Sequence, residues 1–180
     1  MRRGWTATYH GGVSYDLYLF RPAAGIDPLE QVRELVEEEP EPGEPSAEAE
    51  GCKAALVEAL RGITPSLERF VFDYELIARE DGITVEEAKK AFRHVELNGA
   101  DDDGVQIVVH DEWATIHLPF WSRGCAADEA FERIAAYIGA ARQQGYACFD
   151  PQLDQLVSEI EHIEKCRAHY EAVAEQVQDG

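Results

Sequence analysis

The stretch Val105–Trp121, VQIVVHDEWATIHLPFW, decides how the rest of the chain is read. It holds two β-rich runs separated by the short acidic segment His110-Asp111-Glu112-Trp113. Folding Val109 against Ala114 places Val105, Ile107, Val109, Ala114, Ile116, Leu118 and Phe120 on one face, all apolar. Gln106, Val108, His110, Trp113, Thr115 and His117 then share the other face. Alternation that agrees across both arms specifies the register, because a one-residue slip would turn the whole apolar set outward. Asp-Glu is not a favoured two-residue turn, so a four-residue loop in the same register is equally compatible.

Working outward, Ser14–Arg21 alternates as a strand, with Tyr15, Leu17 and Leu19 on one side and Asp16, Tyr18 and Phe20 on the other, ended by Pro22. Asp27-Pro28-Leu29-Glu30 combines an acidic N-cap with proline at the first helical position. The predicted helix buries Leu29, Val32, Leu35 and Val36 and ends in Glu37-Glu38-Glu39-Pro40. After a proline-rich acidic loop, Ser46 caps a helix running to Gly62. Two short helices joined at Gly82 follow, the second opened by Thr84 with Glu87 completing a capping box. Val95 and Leu97 suggest a brief edge strand before the acidic tip Asp101-Asp102-Asp103.

Beyond the hairpin, Ala127, Phe131, Ile134, Ala135, Ile138 and Ala141 mark an amphipathic helix from about Cys125 to Gln144, stopped by Gly145. Tyr146–Phe149 is a short strand, and Asp150-Pro151 predicts a last helix reaching Val177. Its Leu153, Leu156, Ile160, Ile163, Tyr170, Ala174 and Val177 form a seam interrupted by Arg167. Counting one helix of the segment before the hairpin, the order is β-α-β-β-α-β. The fold class expected is therefore α+β, a ferredoxin-like antiparallel sheet with a helical insertion and a long C-terminal helix. The domain reading is a flexible N-terminal arm at 1–12, an α+β domain at 13–157, and a C-terminal helical extension at 158–180.

The chain has 180 residues, enough to bury a sizeable core as one domain. Lys+Arg 16 against Asp+Glu 36 gives a net charge of −20, which repels phosphate backbones and anionic membranes and attracts basic partners. Solubility alone is an equally good account of such a charge. Cys52, Cys125, Cys148 and Cys166 are scattered without paired spacing, and no secretory leader or membrane-length apolar run is seen. A cytoplasmic protein is the expectation.

Candidate sites follow from the same pattern. Tyr18, His110, Trp113, Thr115 and His117 line the mixed sheet face and are the candidate partner- or ligand-binding residues. The competing reading is that the final helix covers this face, against Trp113 and Tyr18, leaving the aromatics as core. Glu37, Glu38, Glu39, Asp101, Asp102 and Asp103 form the candidate acidic patch. His110 and His117 are separated by roughly 13 Å along the ladder and cannot share a metal. The DDDG run fails the EF-hand spacing, so no metal and no cofactor are expected. Ile77–Phe92 has helix-turn-helix spacing, but its second helix leads with Thr84, Glu86 and Glu87 where a DNA reader needs basic or amide groups. No catalytic motif is found.

The YDLY of Tyr15–Tyr18, the ELNG of Glu96–Gly99 before the hairpin and the FDPQ of Phe149–Gln152 resemble a group of bacterial proteins of unassigned function. The resemblance spans most of residues 14–157; it implies a bacterial origin and attaches no activity. The resulting functional expectation is an acidic, non-enzymatic interaction module, of the immunity type, that binds a basic protein. The alternative is a small-molecule enzyme or ligand binder using the mixed sheet face. A homodimer through the last helix is a further expectation.

Overall fold

A computed structural model describes residues 14–38, 46–99, 104–120, 125–158 and 160–178. The expected N-terminal arm at 1–12 and the acidic residues Glu39, Asp101, Asp102 and Asp103 lie outside the described residues.

Strand β1 (Ser14–Phe20) is followed by helices α1 (Pro28–Glu37) and α2 (Ala47–Ile63), then the two-residue strand β2 (Glu68–Arg69). Helices α3 (Tyr74–Asp81) and α4 (Val85–Ala91) lead to strand β3 (Val95–Asn98). The hairpin β4 (Gln106–Val109) and β5 (Trp113–Pro119) precedes α5 (Cys125–Gln143), β6 (Ala147–Asp150), β7 (Gln155–Leu156) and α6 (Ile160–Gln178). Among the described residues all pairings are antiparallel, in one seven-stranded sheet of order β2-β3-β4-β5-β1-β6-β7. The α+β class agrees with the sequence reading. The strand order differs from a four-stranded ferredoxin-like sheet, because β3 and β2 extend it beyond the hairpin and β7 extends it beyond β6.

The hairpin register is the one the alternation demands: Val109 faces Ala114, Ile107 faces Ile116 and Gln106 faces His117. The His110 N–H donates to the Trp113 carbonyl at 2.8 Å, closing the turn around Asp111-Glu112. β1 lies against the other edge of β5, with Asp16 opposite His117 and Tyr18 opposite Thr115.

The apolar face carries the principal core. Tyr15, Leu17, Leu19, Ile107, Ile116 and Leu118 are buried there beneath Leu56 and Leu60 of α2 and Phe131, Ile134 and Ile138 of α5. Cys166, Tyr170 and Ala174 of α6 join the same cluster. The last helix therefore packs on the principal-core side rather than across Trp113 and Tyr18, and Tyr170 and Ala174 are spent inside the chain rather than projecting from it. Its start also moves. Asp150 Oδ1 accepts the Gln152 and Leu153 N–H groups at 2.8 and 3.1 Å, but the turn so capped feeds β7 instead of a helix. There Phe149 pairs with Leu156 and the Val157 N–H donates to the Cys148 carbonyl at 2.8 Å. A strand only two residues long has no periodicity to read.

The N-caps at Asp27, Ser46 and Thr84 are those expected. Asp27 accepts from the Leu29 and Glu30 N–H groups, Ser46 from Ala49, and Thr84 and Glu87 complete their capping box. Gly82 ends α3 in the left-handed region at φ 66°, where a side chain would be strained.

Two buried polar clusters tie the layers together. Lys53 of α2, only 4% exposed, donates to Glu50, to Asp111 in the hairpin turn and to the Arg93 carbonyl, while Arg93 itself pairs with Asp111. Below α6, the Tyr15 hydroxyl donates to Asp150, a carboxylate with no exposed surface. Burial, reinforced by that bond, drives the Tyr15 phenol far above its usual range, and burial beside Asp150 pushes the Cys166 thiol up to about 12. Both groups are inert fasteners at neutral pH.

Candidate functional site

Among the described residues, the second sheet face is covered at one end only. Val32 of α1 is fully buried against Phe20, Trp113 and Phe149, with Leu29, Leu35 and Val36 packed around them. Away from that corner Asp16, Tyr18, Glu96, Gln106, Val108 and His117 stay half-buried, which leaves a polar sheet surface in contact with solvent. A helix does cover part of this face, as the competing reading held, but it is α1 and not α6. Proximity in sequence decides this: α1 follows β1 through the seven-residue connection 21–27 and is held to its end. Gln31 anchors it there, its amide donating to the Arg21 carbonyl at 3.0 Å and accepting from the Ala23 N–H at 2.8 Å.

All five residues singled out from the sequence, Tyr18, His110, Trp113, Thr115 and His117, lie on this face, in two groups. The first is a file of rings. His110 stacks on Trp113 with centroids 3.8 Å apart and planes 8° from parallel, and Tyr18 lies beyond Trp113 at 6.1 Å and 16°. The file continues through His94, 5.3 Å from His110, to Phe72, 5.1 Å from His94. Enclosure among these rings keeps His110 uncharged. Burial, with the nearby charges of His94, Lys53 and His117 adding to it, pushes its pKa down to about 3.

The second group is a hydrogen-bonded chain across β1 and β5. Asp16 Oδ1 lies 2.8 Å from His117 Nδ1, and His117 Nε2 lies 2.7 Å from Thr115 Oγ1. The Ser14 hydroxyl also donates to Asp16 at 2.8 Å. Burial disfavours the Asp16 carboxylate, but the hydrogen bond and charge of His117, with the Ser14 hydroxyl, outweigh it and hold the carboxyl below its ordinary range. Beside this chain, His94 lies 3.1 Å from Glu96, which accepts from Gln106 at 3.4 Å.

A carboxylate, an imidazole and a hydroxyl in line have the form of an activated nucleophile. Two features of this chain argue against that chemistry. Thr115 is only 4% exposed, so its oxygen is the least accessible member of the chain. It also sits in mid-strand, laddered to Val108 on one side and Tyr18 on the other. The neighbouring backbone N–H groups are committed to the ladders and cannot serve an oxyanion. What the chain does is fix the His117 ring and present the half-buried Asp16 edge to solvent.

Next to the ring file is a groove of about 350 Å³ between α1 and the hairpin turn, lined by Phe20, Leu35, Trp113, Arg21, Gln31, Glu34, Glu38 and Glu112. Of the acidic patch expected from sequence, Glu38 lines this groove and Glu37 is exposed on α1 beside it. Asp16, His94, Glu96, Glu34 and Glu112 were not picked out as site residues. Alternation does put Asp16 on the Tyr18 side of β1; its partner His117 is 101 positions away, and no local pattern joins them.

The low His110 pKa has a measurable consequence. The unfolded chain protonates this residue near 6.5 and the folded protein only near 3, so between those values the unfolded state binds more protons. The stabilisation linked to neutral His110 is complete above about pH 6.5 and is lost as pH falls towards 3. Asp16, whose pKa is lowered, begins to contribute its own loss only below the ordinary carboxylate range. His110→Phe keeps a ring on Trp113 and removes the proton. Denaturant melts of the variant should therefore show a fall between neutral pH and about pH 4.5 that is smaller than wild type by about 1–3 kcal/mol. Identical pH profiles for the two proteins would show that His110 titrates normally.

Helices α3 and α4 meet at Gly82 as a compact pair, and Glu86 and Glu87 occupy the first turn of the second helix, the position from which a recognition helix contacts bases. Among the described residues no group of three or more His, Cys, Asp and Glu side chains is placed to hold a metal ion, and no helix is long and apolar enough to cross a membrane. Compared with protein-family models, with curated proteins and with solved structures, the chain matches none.

Proposed function

We propose that this protein is an acidic, non-enzymatic interaction module that docks a basic protein on its second sheet face, in the manner of an immunity protein holding a cationic toxin. The observation that carries this reading is the charge around that face. Glu34, Glu38 and Glu112 line the groove and Asp16 and Glu96 lie on the adjoining sheet, while the one guanidinium among the groove residues, Arg21, is turned to Cys52 at 2.8 Å. With a net charge of −20 behind it, this surface steers a cationic partner from a distance and disfavours nucleic acid. The bacterial, cytoplasmic setting is part of the proposal and rests on the sequence resemblance and the scattered cysteines. We also read the inner strands β4-β5-β1-β6 as a ferredoxin-like unit widened at both edges.

The test is to identify proteins retained by the immobilised chain from a bacterial lysate, and then to measure association rates with the purified partner. A basic partner is expected, with an association rate falling by about tenfold or more between low salt and about 0.15 M. A neutral or acidic partner, or a rate indifferent to salt, would leave the charge as a matter of solubility. The second reading is a small-molecule enzyme or ligand binder on the same face; the fixed His117 ring of the Asp16–His117–Thr115 chain favours its ligand-binding form. Small-molecule titrations that shift the His117 ring resonances in the absence of any protein partner would favour it over the first.

A further inference from the structure

We infer that the groove between α1 and the β4–β5 turn is a receptor for a single arginine side chain of a basic partner protein. This rests on the reading above and assigns the site and the chemistry that recognises the partner. Its apolar lining is Leu35, Phe20 and Trp113, and its charged lining is mostly anionic. Three carboxylates, Glu34, Glu38 and Glu112, stand against the one guanidinium of Arg21, a balance of two negative charges. The remaining polar groups of the lining are already committed: Arg21 to the Cys52 sulfur, and Gln31 at both ends of its amide.

The helix that carries two of these carboxylates acts in the same direction. The groove lies along the C-terminal half of α1, where the helix dipole is negative and a basic residue is normally stabilising. The last turn of α1 contains no basic residue, and Glu34, Glu37 and Glu38 are gathered there. Like charges at the negative end of a dipole raise the energy of the unbound protein, and a bound cation removes that repulsion.

Arginine fits this lining better than lysine. Its guanidinium is weakly hydrated and planar, and so tolerates the apolar residues while forking to two carboxylates. The ammonium of lysine keeps its water and is a point charge. His110 is stacked on the Trp113 ring at 3.8 Å, so the proposal has the cation held by the carboxylates and not by stacking there.

The experiment is an NMR titration of the full chain with capped dipeptides carrying one arginine, one lysine or one citrulline, following the Trp113 indole and Leu35 methyl resonances. Arginine should shift both, and bind at least about threefold more tightly than lysine. Citrulline, equal in shape and uncharged, should shift neither. The E34Q/E112Q variant, checked for an unchanged melting curve, should bind the arginine peptide about fivefold to tenfold more weakly. Equal effects from arginine and citrulline would make the groove a plain apolar cleft, and equal effects from arginine and lysine would make it a charge sink; either overturns the proposal. Silence at Trp113 and Leu35 while a basic protein still binds would overturn this site and leave the acidic-module reading standing. Arginine binding here with no basic protein partner would do the reverse.

Discussion

Tyr170→Ala should destabilise the protein by about 3–5 kcal/mol, a large part of the roughly 5–15 kcal/mol that holds a domain together. Tyr170 is fully buried, stacked on Phe120 at 5.1 Å and meeting Phe131 and Tyr15 edge-on at 5.4 and 6.0 Å. Its hydroxyl donates to the Pro119 carbonyl at 2.6 Å, at the end of β5. Alanine removes the ring from this aromatic cluster, leaves a cavity that the surrounding sheet and helices cannot fill, and strands the carbonyl. Tyr170→Phe separates the two contributions and should cost only about 1 kcal/mol. Urea denaturation of both variants measures the difference. A loss under about 1 kcal/mol for Tyr170→Ala would mean that α6 is loosely docked and adds little to the core.

Ile116→Ala should cost about 2–5 kcal/mol, and Ile107→Ala the same. The two residues face each other across the hairpin, both with no exposed surface, at the centre of the seven-stranded sheet. Their side chains are roofed by α2 and α5, whose own positions depend on packing elsewhere in the cluster, so collapse around the missing atoms is limited. Because they touch across one ladder position, the double variant should deviate from additivity by about 0.5–3 kcal/mol. Strict additivity in a double-mutant cycle by chemical denaturation would show that the pair does not share a packing site.

Both predictions turn on how far the chain can be read without its tertiary structure. The faces of the hairpin were legible because strand alternation is local: each side chain from Val105 to Phe120 has its face set by its neighbours two positions away. The caps at Asp27, Ser46 and Thr84 were legible for the same reason, since an N-cap acts within three residues of itself. The five candidate residues Tyr18, His110, Trp113, Thr115 and His117 shared a face in the structure because alternation had already put them there.

What the sequence by itself determined is therefore the order of the longer elements, the register of the hairpin and the sorting of side chains between two faces. The tertiary structure decided everything that depends on which surfaces meet. It set β2 and β7 at the two edges of the sheet, strands of two residues whose pairing comes from their neighbours rather than from their own pattern. It put α1 against Trp113 and α6 against Tyr15, although both helices carry an apolar stripe that would suit either face. It drew Lys53 inside, onto an aspartate 58 positions away, and joined Asp16 to His117 across 101 positions. Such contacts close long loops, and their free energy belongs to the packed assembly of both partners, so no window of sequence around either one contains it.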